Sequence, residues 1–153
     1  MDTKLSLDKT AIVQANYAAM IADLEKIEPI LSLFPKLEKL TAHPGNVYET
    51  KLKPLGAMGV EHAVHYAATY TVDAAKGVMT FKAKDGIGNA SLSGQFDFHQ
   101  KSNGVEIEIR IDGQLRDIKV PMLLRAATPG FIKTMFEGVV DRLIQKIGEK
   151  YPA

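Results

Sequence analysis

Residues 37–118 read as a run of β-hairpins, and residues 121–151 read as helix. That order constrains the fold more than any single residue does. Strands joined hairpin by hairpin form an antiparallel sheet with one dry face, and they cannot hide that face from one another. Something long and apolar must lie across it. The only candidate of sufficient length is the C-terminal segment.

The pattern is clearest late in the strand region. Ala90, Leu92, Gly94, Phe96 and Phe98 alternate with Ser91, Ser93, Gln95, Asp97 and His99. After a turn at Asn103-Gly104, Val105, Ile107, Ile109 and Ile111 alternate with Glu106, Glu108, Arg110 and Asp112. Period-two alternation of this kind means one buried and one solvated face. Earlier strands are expected at 37–42, 47–54, 61–73 and 78–83, with turns at His43-Pro44-Gly45-Asn46, at Gly56-Ala57-Met58-Gly59 and at Asp85-Gly86. A first strand is expected from about Lys4, where Leu5, Leu7, Ala11 and Val13 fall on one face. Asn16 is an N-cap candidate for a helix over 17–27. Glu28-Pro29 interrupts that helix, and a shorter one follows to Phe34.

In the C-terminal segment, Ile132, Met135, Phe136, Val139, Val140, Leu143, Ile144 and Ile147 recur at spacings of three and four, which makes an apolar stripe on a helix. Thr128-Pro129 is the expected cap and first helical position, so a kink or restart is expected there. The expected fold is α+β, as one domain over residues 1–153. A curved antiparallel sheet of about seven strands wraps round a long C-terminal helix, and two short helices lie between strands 1 and 2.

Composition narrows the function. The chain has 19 basic and 18 acidic residues, so no large basic field is expected to draw in nucleic acid or an anionic membrane. Cysteine is absent, which removes disulfides, thiolate metal sites and a cysteine nucleophile. The longest nearly apolar run, 11–22, is broken by Gln14 and Asn16 and is too short for stable membrane insertion. A cytoplasmic protein is expected, with a homodimer left open. There is no Gly-x-Ser-x-Gly elbow, and 84–89 lacks the spacing and ending of a phosphate loop.

The element order resembles the helix-grip superfamily (SRPBCC), which includes START lipid-transfer domains, the birch-pollen allergen group and polyketide cyclase-like proteins. The resemblance covers the whole chain and lies more in element order than in motif. The first strand leads through Ala15-Asn16 into Tyr17-Ala18-Ala19-Met20-Ile21, where many members have Ala-Pro and then Val-Trp. Here Asn16 stands in place of the proline, and the chain has no tryptophan. Residues 24–35 resemble the family's helix, polar break, helix and proline. Gly86-Ile87-Gly88-Asn89-Ala90 through Phe98 resembles the Gly-rich hairpin of the carbon monoxide dehydrogenase accessory-like branch. The resemblance implies a mostly apolar cavity between sheet and last helix, taking a lipid or polyketide-like molecule. It implies no shared catalytic residues and no cofactor.

On that basis the expected ligand-binding residues are His62, Tyr66, Tyr70, Phe81, Phe96, Phe98, Ile107, Ile109, Phe131, Met135 and Val139. His62, Tyr66 and Tyr70 are expected on the inner face with Val64 and Val72, where they would orient a polar end of the ligand. Small inward residues, Ala68, Ala90 and Gly94, are expected to leave room. Met58 and the 56–59 bend are candidates for the mouth. His65 falls on the opposite face, three residues along, so it cannot join His62 in a metal site. Asp97 and Asp112 are placed on the wet face, and Arg110 in a surface charge ladder. No metal site is expected, and no catalytic residue is assigned. The expected function is binding or transport of a hydrophobic small molecule. The alternatives are a cyclase- or hydrolase-type enzyme using His62 or Tyr66 as acid or base, and an accessory protein in metalloenzyme maturation.

Overall fold

The structure is a computed structural model that describes residues 1–57 and 59–153. Met58, a candidate for the mouth, lies outside the described residues. Strand β1 (Thr3–Val13) is followed by helices α1 (Tyr17–Lys26) and α2 (Glu28–Leu31). Strands β2 (Leu37–His43), β3 (Val47–Leu52), β4 (Leu55–Ala57), β5 (Val60–His62), β6 (His65–Asp73), β7 (Val78–Ala83), β8 (Ala90–Lys101) and β9 (Gly104–Leu115) come next. A 3-10 turn, Met122–Leu124, leads into the long helix α3 (Thr128–Lys150).

Seven strands form one sheet in the order β1-β9-β8-β7-β6-β3-β2, with every neighbouring pair antiparallel. The first strand thus pairs with the last, as Leu7 opposite Ile111 and Val13 opposite Val105. A chain built of hairpins needs no helical crossover to reach this order, except that β1 must be returned by α1 and α2 to the far edge. The expected α+β architecture is therefore the observed one.

Asn16 caps α1 by accepting a hydrogen bond from the Ala19 amide at 3.0 Å. The helix ends at Ile27, whose φ of 68° is a conformation a β-branched residue rarely adopts. Its amide donates to the Leu24 carbonyl, and α2 then starts at Glu28 with Pro29 in its first turn. Helix α3 buries Ile132, Phe136, Val139, Val140, Leu143, Ile144 and Ile147. These are the stripe residues, with Met135 half-buried at its margin. Opposite them lie Phe96, Phe98, Ile107, Ile109 and Leu115, each no more than 1% exposed.

Three expectations need correcting. The segment 61–73 is not one strand. It breaks at Ala63-Val64 into β5 and β6, and β5 pairs with β4 in a separate two-stranded ribbon. The periodicity is ambiguous here, because a ribbon strand also alternates. Second, Thr128 is not the cap of α3. Ala127 holds that position, and the Thr128 hydroxyl donates instead to the Leu124 carbonyl at 2.7 Å, joining helix to 3-10 turn. Third, Asp97 points away from the core, as its alternation requires, yet it is buried. Gln95 Nε2 donates to both its oxygens at 2.7 and 2.9 Å, and Arg110 lies 3.8 Å away.

Candidate functional site

The concave wall is aromatic. Tyr48 on β3, Tyr66 and Tyr70 on β6, Phe81 on β7, and Phe96 and Phe98 on β8 are all buried. Alternate positions on adjacent strands bring their rings together. Tyr70 meets Tyr48 edge-on at 5.7 Å and stacks on Phe81 at 5.5 Å, and Phe81 meets Phe96 edge-on at 5.9 Å. Gly94 lies opposite Phe81 in the register, and a Cβ there would stand 2.8 Å from the Phe81 ring. The space expected above Gly94 is thus occupied by that ring.

One polar feature interrupts this wall. Thr50 lies opposite Tyr66 in the β3–β6 pairing and is 1% exposed. The Tyr66 hydroxyl is within reach of those of Tyr70 and Thr50. Thr50 Oγ1 nevertheless completes no well-formed hydrogen bond. An orphaned buried hydroxyl costs roughly 1–3 kcal/mol, so its retention points to an occasional partner. Burial raises the pKa of Tyr66 above the ordinary phenol value, and that of Tyr70 well above it. Both phenols stay protonated at neutral pH. They can donate a hydrogen bond or a proton, but they cannot serve as a base. Thr50 and Tyr48 were not singled out in the sequence. Their alternation in 47–52 placed them inward, but a threonine beside a tyrosine in a strand has no distinguishing signal.

His62 does not join this set. The break at 63–64 carries it into the ribbon, beside a surface recess of about 380 Å³ lined by Gly59, Glu61, Ala63, Asn89, Asp117 and Lys119. It is buried, and its Nε2 lacks a hydrogen-bond partner. Burial lowers its pKa, opposed by the nearby Asp117 carboxylate. His65 takes the outer face, where Glu49 bridges it and His43. The hydrogen bond from His43, then that from His65, holds the Glu49 carboxyl below its usual value.

Of the helical residues expected at the site, Val139 is buried while Phe131 and Met135 are half-buried. Phe131 lines a wholly apolar recess of about 120 Å³ with Ala57, Val60, Leu124, Ala127 and Thr128. This lies where the ribbon β4–β5 meets the start of α3. Met135 and Val139 line a neighbouring groove of about 370 Å³ with Pro54, Leu55 and Gly138. Small-molecule sites commonly span about 300–1,000 Å³. A guest larger than a few carbons would have to spread the ribbon from the start of α3.

No protein-family model matches the chain, and no curated protein matches it in sequence. Solved structures do. The Zhui aromatase/cyclase of Streptomyces sp. R1128 superposes with a TM-score of 0.66 at 15% identity, over 96% of this chain and 93% of that one. A START superfamily protein from Mycobacterium smegmatis gives 0.65 at 8% identity, over 95% and 96%. The major latex-like protein 151 of Panax ginseng gives 0.65 at 12% identity, over 98% and 99%. These neighbours share the helix-grip fold, and the chain has that fold from end to end.

Proposed function

We propose that this protein binds a hydrophobic small molecule between the concave sheet and α3, and that Tyr66, Tyr70 and Thr50 hydrogen-bond its polar end. The observation that carries this reading is the composition of the wall. Among the described residues, no Asp, Glu, Lys or Arg is buried on that face; the polar atoms there are hydroxyls among aromatic rings. Such a wall gives burial to an apolar body and orientation to one oxygen. Phe81, Phe96, Phe98, Ile107 and Ile109 form the deep wall, and Phe131, Met135 and Val139 the side nearer solvent. His62 stands at the rim, neutral at pH 7.

The fold likeness to an aromatase/cyclase supports a second reading, in which a polyketide-like chain is shaped for ring closure. In that case the buried phenols hydrogen-bond the carbonyl oxygen under attack, where negative charge develops, and the proton lost from the attacking carbon passes to water. Lipid-like ligands and polyketide-like ones share the required chemistry, an apolar body with a hydrogen-bonding oxygen.

Native mass spectrometry of protein purified from its own cells tests the proposal. A co-purifying hydrophobic mass, reduced in the Tyr66→Phe/Tyr70→Phe variant, is the expected result. A clean protein mass, unchanged after incubation with a fatty acid, a sterol and a multi-ring phenol, would contradict it.

A further inference from the structure

We propose that the 3-10 turn Met122–Leu124 is a reversible docking tip for the surface of an anionic phospholipid bilayer. Met122 is 80% exposed and Leu123 is 96% exposed. Two large apolar side chains on a single projecting turn have no cover among the described residues, which is unusual for a folded domain. Leu124, the third residue of the turn, faces inward and walls the apolar recess above Phe131. Pro121 precedes the turn and packs on the ribbon, 3.3 Å from where a Gly59 Cβ would stand.

The charges within the segment itself have one sign. Residues 118–136 contain Lys119, Arg125 and Lys133 and no acidic residue. Lys119 and Arg125 flank the exposed pair, while Lys133, just over one turn into α3, lines a recess with Asp8, Asp112 and Glu137. Glu61 on β5 pairs with Lys119 through a backbone β-bridge, and Glu61 and Asp117 line the same recess as Lys119, so this cation has acidic neighbours. Helix α3 also begins here, so its positive end faces the same region. The chain as a whole carries a formal net charge of only +1, and the basic excess is local.

These features fit a bilayer better than a protein. A stable protein interface buries about 800 Å² on each partner, and two side chains supply only a small part of that. A protruding apolar turn with Arg125 beside it suits the headgroup boundary, where a few side chains enter by about 5–10 Å while a cation stays among the phosphates. The proposal concerns surface binding only and does not rest on the ligand reading above.

The test is sedimentation of the full chain with vesicles of phosphatidylcholine alone, and with about one third phosphatidylserine added. The protein should pellet with the anionic vesicles, and less so as salt rises. Met122→Ser/Leu123→Ser should lower the bound fraction by at least about tenfold. Arg125→Gln should lower it by about fivefold. Because these side chains are exposed, all variants should melt with the parent, so loss of binding cannot be ascribed to unfolding. Absence of binding to anionic vesicles, equal binding to neutral ones, or indifference to the double substitution would overturn the proposal. So would concentration-dependent self-association, seen by ultracentrifugation, that the double substitution abolishes; the tip would then serve a second copy of the chain. Failure here would leave the co-purification result untouched, and the reverse also holds.

Discussion

The two ends of α3 are held in opposite ways. At its C-terminal end the chain is tied to the start of α1. Ala15 bridges to Pro152, the Asn16 amide donates to the Tyr151 carbonyl at 2.8 Å, and the Tyr151 hydroxyl donates to Asp23 at 2.6 Å. Beneath them Phe98, Val105, Ile107 and Ile147 are wholly buried. At its N-terminal end the helix rests on a two-stranded ribbon outside the main sheet. An apolar recess separates the two, and Met122 and Leu123 project beyond it. One end supplies stability, and on the proposed ligand-binding reading the other supplies access. A fold that must admit an apolar guest cannot be packed equally tightly throughout, since close packing leaves no entry.

That contrast can be broken most sharply by truncating one aromatic side chain at each end. Phe98→Ala should cost about 3–5 kcal/mol, the range for a fully buried phenyl ring. Phe131→Ala, at a half-buried position beside the recess, should cost about 1 kcal/mol. Urea denaturation of both variants checks the pair, and equal losses would mean that α3 is held alike at its two ends.

Tyr151→Phe should come next, at about 1.5–3 kcal/mol, because it removes a hydrogen bond to a carboxylate at the tied end. A loss near zero in thermal melting would show that the Tyr151–Asp23 contact does not fasten the helix.

Thr50→Val should have the opposite sign. Valine keeps the shape and removes an orphaned hydroxyl, so the free protein should be unchanged or gain about 1 kcal/mol while its affinity for a guest falls. A clear loss of stability would show that Thr50 Oγ1 is satisfied in the free protein and is not reserved for a ligand.

The smallest effect is pH dependence at the rim. His62 has a folded pKa below its unfolded value of about 6.5. The unfolded chain therefore binds more protons between the two values, and stability falls as pH drops through about 6.5. His62→Gln should flatten that part of the profile while leaving the acid loss below about pH 4.5, to which Glu49 contributes through His43 and His65. Denaturation midpoints across pH measure this. An unchanged slope would place His62 in solvent rather than in the wall of the recess.

Regions with a clean period were legible in the sequence. Strands β8 and β9 and the stripe of α3 declared their buried faces residue by residue, because one face is dry and the other wet along their whole length. The open end was harder. A ribbon of two three-residue strands imitates the end of a longer strand, so spacing alone puts His62 on the wall that Tyr66 and Tyr70 occupy. Asp97 was readable as outward but not as covered, since its burial comes from Gln95 and Arg110 on its own and the neighbouring strand. The hydroxyl set was half legible: Tyr66 and Tyr70 share a face by spacing, while Thr50 joins them only through the β3–β6 register. The exposed Met122 and Leu123 could not be told from core residues without the fold, because an apolar pair after a proline reads equally well as the start of a buried helix.

Methyl NMR of the full protein with a fatty acid, a sterol or a multi-ring phenol added tests the central claim most directly. At least one compound should shift the methyl signals of Val60, Leu124 and Ile132 and leave those of Val105 and Ile147, at the tied end, in place. If none of the three moves any of these signals, or if the shifts fall at the tied end instead, the division of α3 into a fixed end and a receiving end is wrong.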